Sequence, residues 1–130
     1  HLLKGAGEER AHLRWCEERL TELGEKPSKL QAMWHAGSLA MGALAGLAGD
    51  RWSLGFVKET EKQVAEHLDG HLQKLPESDS RSRAIVERMK TDEERHGRDA
   101  AAAGARELPL PVRAAMRRIA QVMTKTAYWI

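Results

Sequence analysis

Two Glu-x-x-His pairs, Glu9/His12 and Glu93/His96, and a glutamate between them, Glu61, have the types and spacing for chemistry in this 130-residue chain. Residues three apart on a helix share a face, so each pair presents a carboxylate and an imidazole to one side. Facing helices of a bundle use that arrangement to hold two iron or manganese ions. Carboxylates bridge and neutralise the cations, imidazoles each supply a nitrogen, and open positions take dioxygen. Glu-x-x-His is a weak motif by itself, so the argument rests on where the glutamates fall in the apolar pattern.

The pattern puts all three glutamates inward. Leu2, Ala6, Leu13, Cys16, Leu20 and Leu23 share one helix side, with Glu9 at its centre. Leu54, Val57, Val64, Ala65, Leu68, Leu72 and Leu75 form a second stripe centred on Glu61, and Val86, Met89, Gly97 and Ala100 a third centred on Glu93. An unpaired ionised carboxylate in an apolar interior costs several kcal/mol. Three close together also repel. Protonation, arginine pairing or cations are the remedies. The competing reading places these glutamates on the rims of helices rotated differently.

The elements that must position them are all helical. Ala, Leu, Glu, Arg and Met dominate, and alternating β-branched runs do not occur. Five helices are expected: about 2–23, closed by Gly24; about 29–48, closed by Gly49; about 51 or 53 to 74, stopping before Pro76; about 80–103, capped by the turn of Pro76, Ser78 and Asp79 and closed by Gly104; and about 111–126 after Pro109 and Pro111. The length suits one domain. Hydrophobic residues at 42% exclude compositional disorder, and charged residues at 31% exclude a wholly lipid-embedded chain. A net charge of +2 gives no global case for nucleic acid. The lone Cys16 permits no internal disulfide and reads as a buried structural thiol. Residue 1 is not Met, so the start reads as a truncation, a processed form or an ordered remnant.

Of the other histidines, His67 and His71 share a helix face at i, i+4 and are assigned with Leu68 to a substrate pocket or to support of the ligands, with solvent exposure the equal alternative. His35 reads as packed or interfacial. From Leu30 to Gly49 no residue is charged, about the length of a membrane span but a poor one, rich in Ala and Gly. Ser38, Gly42 and Gly46 form a small-xxx-small row that would let another helix approach. This helix is either a core helix or one that dips into a bilayer leaflet or lines a pocket for a long apolar substrate. Val112, Ala115, Met116, Ile119, Val122 and Met123 form one face of the last helix, basic residues decorate the rest, and Tyr128, Trp129 and Ile130 follow. Trp34, Leu39, Leu44, Arg117 and Trp129 are the residues expected to face a membrane. No base-stacking or groove-reading motif accompanies the basic charge, so nucleic acid is not an expected partner.

Together these features resemble the demethoxyubiquinone hydroxylase family of ferritin-like di-iron monooxygenases. The segments that carry the resemblance are EERAHLRWCEERL (8–20), SLGFVKETEKQVAEHLDGHL (53–72), DEERH (92–96) and the C-terminal VMTKTAYWI. The resemblance implies one ferritin-like domain over 1–130 with an extra apolar, membrane-facing helix. It implies metal ligation by Glu9, His12, Glu61, Glu93 and His96, with Glu61 or Glu9 bridging two iron ions. It places His67 near the substrate. It implies dioxygen-dependent hydroxylation of a polyprenyl methoxy-methyl-benzoquinol in ubiquinone biosynthesis, with electrons ultimately from NADH. A homo-oligomer, partner proteins of the same biosynthesis and a membrane surface are the implied associations. The location implied is peripheral, on the cytoplasmic face of a bacterial inner membrane or on a mitochondrial inner membrane. The family's first helix, with a sixth ligand, would precede His1. The competing functions are a non-enzymatic helical lipid- or quinone-binding protein and another ferritin-like di-iron protein such as an iron store or peroxide scavenger.

Overall fold

The computed structural model describes residues 2–130. His1 lies outside the described residues, as do the side chains of Leu2 and Leu3, and with them the expected place of Leu2 in the first stripe. The chain forms α1 (Leu2–Glu22), α2 (Gln31–Leu47), α3 (Asp50–Lys74), α4 (Ser80–Ala102) and α5 (Leu110–Trp129), and no strand occurs among the described residues. The expected stops are observed. Gly24, Gly49 and Gly104 carry φ of +74°, +101° and +99°, the left-handed conformation that glycine adopts without a Cβ clash. At Gly24 the next amide, of Glu25, reaches back to the Leu20 carbonyl at 2.8 Å, and Ala105 does the same to Ala100 at 3.1 Å.

Two starts differ. Lys29 and Leu30 lie in a turn in which the Leu30 amide donates to Ser28 Oγ at 3.2 Å, so α2 begins at Gln31. α5 runs past Thr126 to Trp129, since nothing after Pro111 breaks it.

The chain divides into two compact units, His1–Pro27 with Glu61–His96, and Ser28–Thr60 with Gly97–Ile130. In the first unit, α1 packs with the later part of α3 and most of α4. Asp79 caps α4 by accepting from the Ser82 amide at 3.1 Å, and Arg19 ties α1 to that cap through Asp79 and Ser82 Oγ, both at 2.9 Å. Arg83 donates to the free carbonyls of Leu72 (2.8 Å) and Leu75 (3.1 Å) at the end of α3. Ala65 and Leu68 are buried, as the second stripe requires.

The α1 stripe is rotated from its expected position. Leu13 and Leu23 are 50% and 52% exposed, and the inward face is Glu8, His12, Trp15, Cys16, Arg19 and Leu20, with His12 deepest. Cys16 is half-buried with Sγ 3.7 Å from Met89 Sδ, and burial raises its thiol pKa, so it is a packed, protonated thiol.

In the second unit, Gly55 takes a close approach: a Cβ there would lie 2.3 Å from the Arg106 carbonyl oxygen. Arg106 donates its amide to the Arg51 carbonyl at 3.0 Å and stacks its guanidinium over Trp52 at 4.7 Å. Leu108 and Met116 are buried. α2 buries no residue; Trp34, Met41 and Ala45 form its half-buried line. A Cβ at Gly42 or Gly46 would meet nothing within 4 Å, so the small-residue row packs against no described helix. Trp34 is half-buried with its indole Nε1 shut away, and so departs from the expected outward set; Leu39, Leu44, Arg117 and Trp129 are exposed. His35 is exposed rather than packed. No helix among the described residues is long and apolar enough to cross a membrane.

Candidate metal centre

All five residues singled out as ligands lie in the first unit. Glu9, Glu61, Glu93 and His96 bring one ligand atom each within 4.8 Å of one another. His12 Nδ1 stands 3.1 Å from Glu93 Oε1 and 3.7 Å from Glu9 Oε2. His96 Nδ1 stands 3.5 Å from Glu9 Oε1 and 3.9 Å from Glu61 Oε2. Both imidazoles therefore turn Nδ1 toward the carboxylates. Their Nε2 atoms are held from behind, and each by the opposite helix. His12 of α1 donates Nε2–H to Asp92 of α4 at 2.9 Å. His96 of α4 pairs through Nε2 with Glu8 of α1. Arg95 joins the two supporting acids, donating to both Glu8 oxygens (3.2 and 3.1 Å) and to Asp92 Oδ1 (2.9 Å).

The electrostatics follow from these contacts. Burial, then the hydrogen bond and charge of Glu61, push the Glu93 carboxyl up to about 8. Burial likewise raises Glu61, against the lowering effect of its hydrogen bond with Glu93, and Glu9 is raised by desolvation and then by the charge of Glu93. The supporting acids move the other way. Burial opposes the ionised form of Asp92, but hydrogen bonds from His12, Arg88 and Arg95 overcome it and keep Asp92 below the usual carboxylate range. Glu8 is lowered by its bonds to His96 and then Arg95.

This donor set fits a pair of cations. Buried His12 Nδ1 and Glu61 Oε2 have no hydrogen-bond partner in the structure, the state of ligand atoms aimed at a metal. Three raised carboxyls crowd one site, and divalent charge is what lets them ionise together. An acid behind each imidazole fixes the tautomer that leaves Nδ1 free.

The structure brings the five residues expected as ligands close together, but Glu9 lies differently from its expected place. Its side chain is 52% exposed, at the rim and not at the centre of a buried stripe, because the α1 face turns on His12. Glu61 (14%) and Glu93 (4%) are inward as expected. Glu8, Asp92 and Arg95 were missed. For the two acids the signal is an acid directly before the glutamate of each motif, Glu8-Glu9 and Asp92-Glu93. His67 and His71 fall outside the cluster: they are exposed, pair with one another through Nε2 at 2.9 Å, and flank the buried Leu68.

An all-helical chain whose paired acid–histidine motifs meet around a third carboxylate defines a carboxylate–histidine metal-centre class. Within that class, the family model described as Ubiquinone biosynthesis protein COQ7 matches residues 2–127, and the chain belongs to that family. It is 62% identical over 125 residues (96% of this chain) to a 3-demethoxyubiquinol 3-hydroxylase of Cupriavidus taiwanensis, of which it covers 60%. It is 57% identical over 129 residues (99% of this chain) to one of Aromatoleum aromaticum, of which it covers 63%. A third, of Xanthomonas oryzae, is 57% identical over 128 residues, 98% of this chain and 59% of that protein. The chain thus spans about 60% of the length of these curated relatives. No solved structure matches it.

Proposed function

We propose that this chain carries a two-iron centre of ferritin-like type, held by Glu9, His12, Glu61, Glu93 and His96, and acts in the dioxygen-dependent hydroxylation of a polyprenyl demethoxyubiquinol. The observation that carries the reading is the crossed support, Asp92 behind His12 and Glu8 behind His96, around the Glu61–Glu93 carboxyl pair. Iron bound there supplies the redox chemistry with dioxygen that the ring hydroxylation needs. The chain's own part is positional and electrostatic. Asp92 and Glu8 hold the rings so that Nδ1 faces the ions, Arg95 balances the supporting acids, and Glu93 gives up a proton as the cations enter.

The relatives' names supply the substrate, a 3-demethoxyubiquinol. NADH as the ultimate electron source, a homo-oligomer and other ubiquinone-biosynthesis proteins as partners complete the reading. So does a peripheral place on a bacterial inner membrane, or on a mitochondrial one. Support for the membrane comes from the second unit. Leu39, Leu44 and Leu47 of α2, and Ile119, Val122 and Trp129 of α5, are exposed, and α5 also exposes Arg117, Arg118 and Lys125.

Anaerobic Fe(II) titration should saturate at about two irons per chain, and the iron-loaded protein with a reductant and dioxygen should add one oxygen to demethoxyubiquinol. Iron binding without hydroxylation, and no flotation with anionic liposomes, would favour a soluble iron-store reading. Quinol or liposome binding unaffected by Glu61→Ala would favour a non-enzymatic carrier.

A further inference from the structure

The exposed face of α3 holds a second group of ligand atoms that the carboxylate cluster does not use. His67 and His71, one turn apart, point their Nε2 atoms at each other at 2.9 Å, with ring centroids 4.4 Å apart and planes at 80°. In the ion-free pair a single N–H···N bond spans that gap, so one ring donates and the other accepts. Partial burial first, then for His67 the neighbouring His71 and Lys74, and for His71 Lys74, hold both rings below the ordinary histidine range. Both are neutral at pH 7, and a neutral imidazole is the form that binds a metal.

The separation selects a geometry. With metal–nitrogen bonds of about 2.0–2.1 Å, two cis nitrogens at a right angle stand about 2.9 Å apart, and at a tetrahedral angle about 3.3–3.4 Å apart. The observed 2.9 Å is the right-angled bite. Imidazole nitrogens in square-planar or tetragonal geometry suit Cu(II) and Ni(II), and at such a site the affinity order peaks at copper. The carboxylate–histidine cluster offers mostly carboxylate oxygens, so the two sites differ in ligand softness as well as place.

We propose that His67 and His71 form a bidentate surface site for a late first-row divalent cation, Cu(II) above Ni(II) and Zn(II), separate from the carboxylate–histidine centre. The ion takes the place of the N–H···N bond as the donor ring's proton moves to its own Nδ1, so that two neutral rings offer Nε2; water completes the coordination, and the ion clips one turn of α3. Lys74, one turn beyond His71, is the nearby like charge and weakens the site. The proposal does not depend on the iron-centre reading and can fail without it.

Cu(II) added to the protein and followed by electron paramagnetic resonance tests it. At up to one copper per chain the spectrum should show hyperfine coupling to two imidazole nitrogens. His67→Ala and His71→Ala should each remove that pattern and weaken binding on the order of 100-fold, the gain that joining two weak ligands on one scaffold supplies. His12→Ala should leave it intact. Both residues are exposed, so the variants should keep wild-type helicity by circular dichroism, with His67→Gln and His71→Gln as conservative replacements. Copper bound equally well without His67 or His71, a single-nitrogen spectrum, or a pattern that His12→Ala abolishes would overturn it.

Discussion

The α1 and α4 halves of the candidate metal centre repeat one grammar and differ in depth. Each has an acid, a glutamate and, three residues on, a histidine: Glu8, Glu9 and His12 against Asp92, Glu93 and His96. In the α4 half both acids are sealed, with side chains of Asp92 and Glu93 6% and 4% exposed; in the α1 half Glu8 is 24% and Glu9 52% exposed. Arg95 of α4 has Ala11 as its counterpart on α1, so the salt bridges that balance both supporting acids come from one side. The same motif thus gives one half whose acids are desolvated and carry the electrostatic stress, and another whose acids are hydrated. Charge is worth more, in either direction, where water is excluded.

The largest effect should therefore come from Glu93. Glu93→Gln should abolish stoichiometric iron uptake, read by anaerobic Fe(II) titration. It should also flatten the pH dependence of the metal-free protein. The Glu93 carboxyl is raised to about 8 in the fold from an ordinary 4.5, so the folded chain holds the extra proton between those values. Stability is then fully present below about 4.5 and falls as pH rises toward about 8. Thermal melts across that window should show the fall in the metal-free wild type and a clearly smaller one in Glu93→Gln, where the raised Glu61 and Glu9 remain. The iron-loaded protein should run the opposite way, because cations bind the deprotonated site. A wild-type melting temperature that climbs with pH, metal absent, would break the comparison. Asp92 has the other sign: its lowered pKa gives stability that is present above its ordinary value and is lost as pH falls through the folded one.

Next come the supporting acids. Asp92→Ala strips the partner from His12 Nε2 and from one Arg95 nitrogen, in a buried place. Metal affinity should drop on the order of 10–100-fold, and the metal-free fold should lose roughly 1–3 kcal/mol, the cost of buried groups left unsatisfied. Glu8→Ala, on the wetter side, should lower affinity toward the bottom of that range, with water replacing the carboxylate behind His96. Metal titration of the two variants side by side measures the asymmetry directly. Equal losses would mean that exposure of the support does not matter.

How much of this could be read from residue order depends on which signal was asked. Helix ends were legible because Gly24, Gly49, Gly104 and the Asp79 turn act locally. Glu61 and Glu93 were legible because the residues around them, Ala65, Leu68 and Ala100, follow the helical period and are buried. The period failed on α1. Leu13 and Leu23 look like core residues and are exposed, while the inward face carries Glu8, His12 and Arg19, whose burial is satisfied by partners on α4 and in the turn before it. A pattern of apolar residues cannot find a face whose interior contacts are ionic. The crossed support was invisible for the same reason, since Asp92 and His12 are 80 residues apart. The small-residue row of α2 (Ser38, Gly42 and Gly46) meets no described helix, because small residues report how close a neighbour could come, not whether one does.

The smallest effect should be that of Glu9→Gln on the metal-free fold. Glu9 contributes an oxygen to the cluster but sits half in water, so losing its charge leaves no buried group unpaired. The thermal midpoint should move by no more than about 0.5 kcal/mol equivalent, as for an ordinary surface substitution. Iron affinity should still fall, because one anionic ligand is gone from the site. That separation of stability from metal affinity sets Glu9 apart from Asp92, whose loss costs both. Differential scanning calorimetry with and without Fe(II) reads the two quantities on one sample. A stability loss in Glu9→Gln as large as that of Asp92→Ala would show that the α1 half is as desolvated in solution as the α4 half. Glu9 would then carry a larger share of the pH slope beside Glu93.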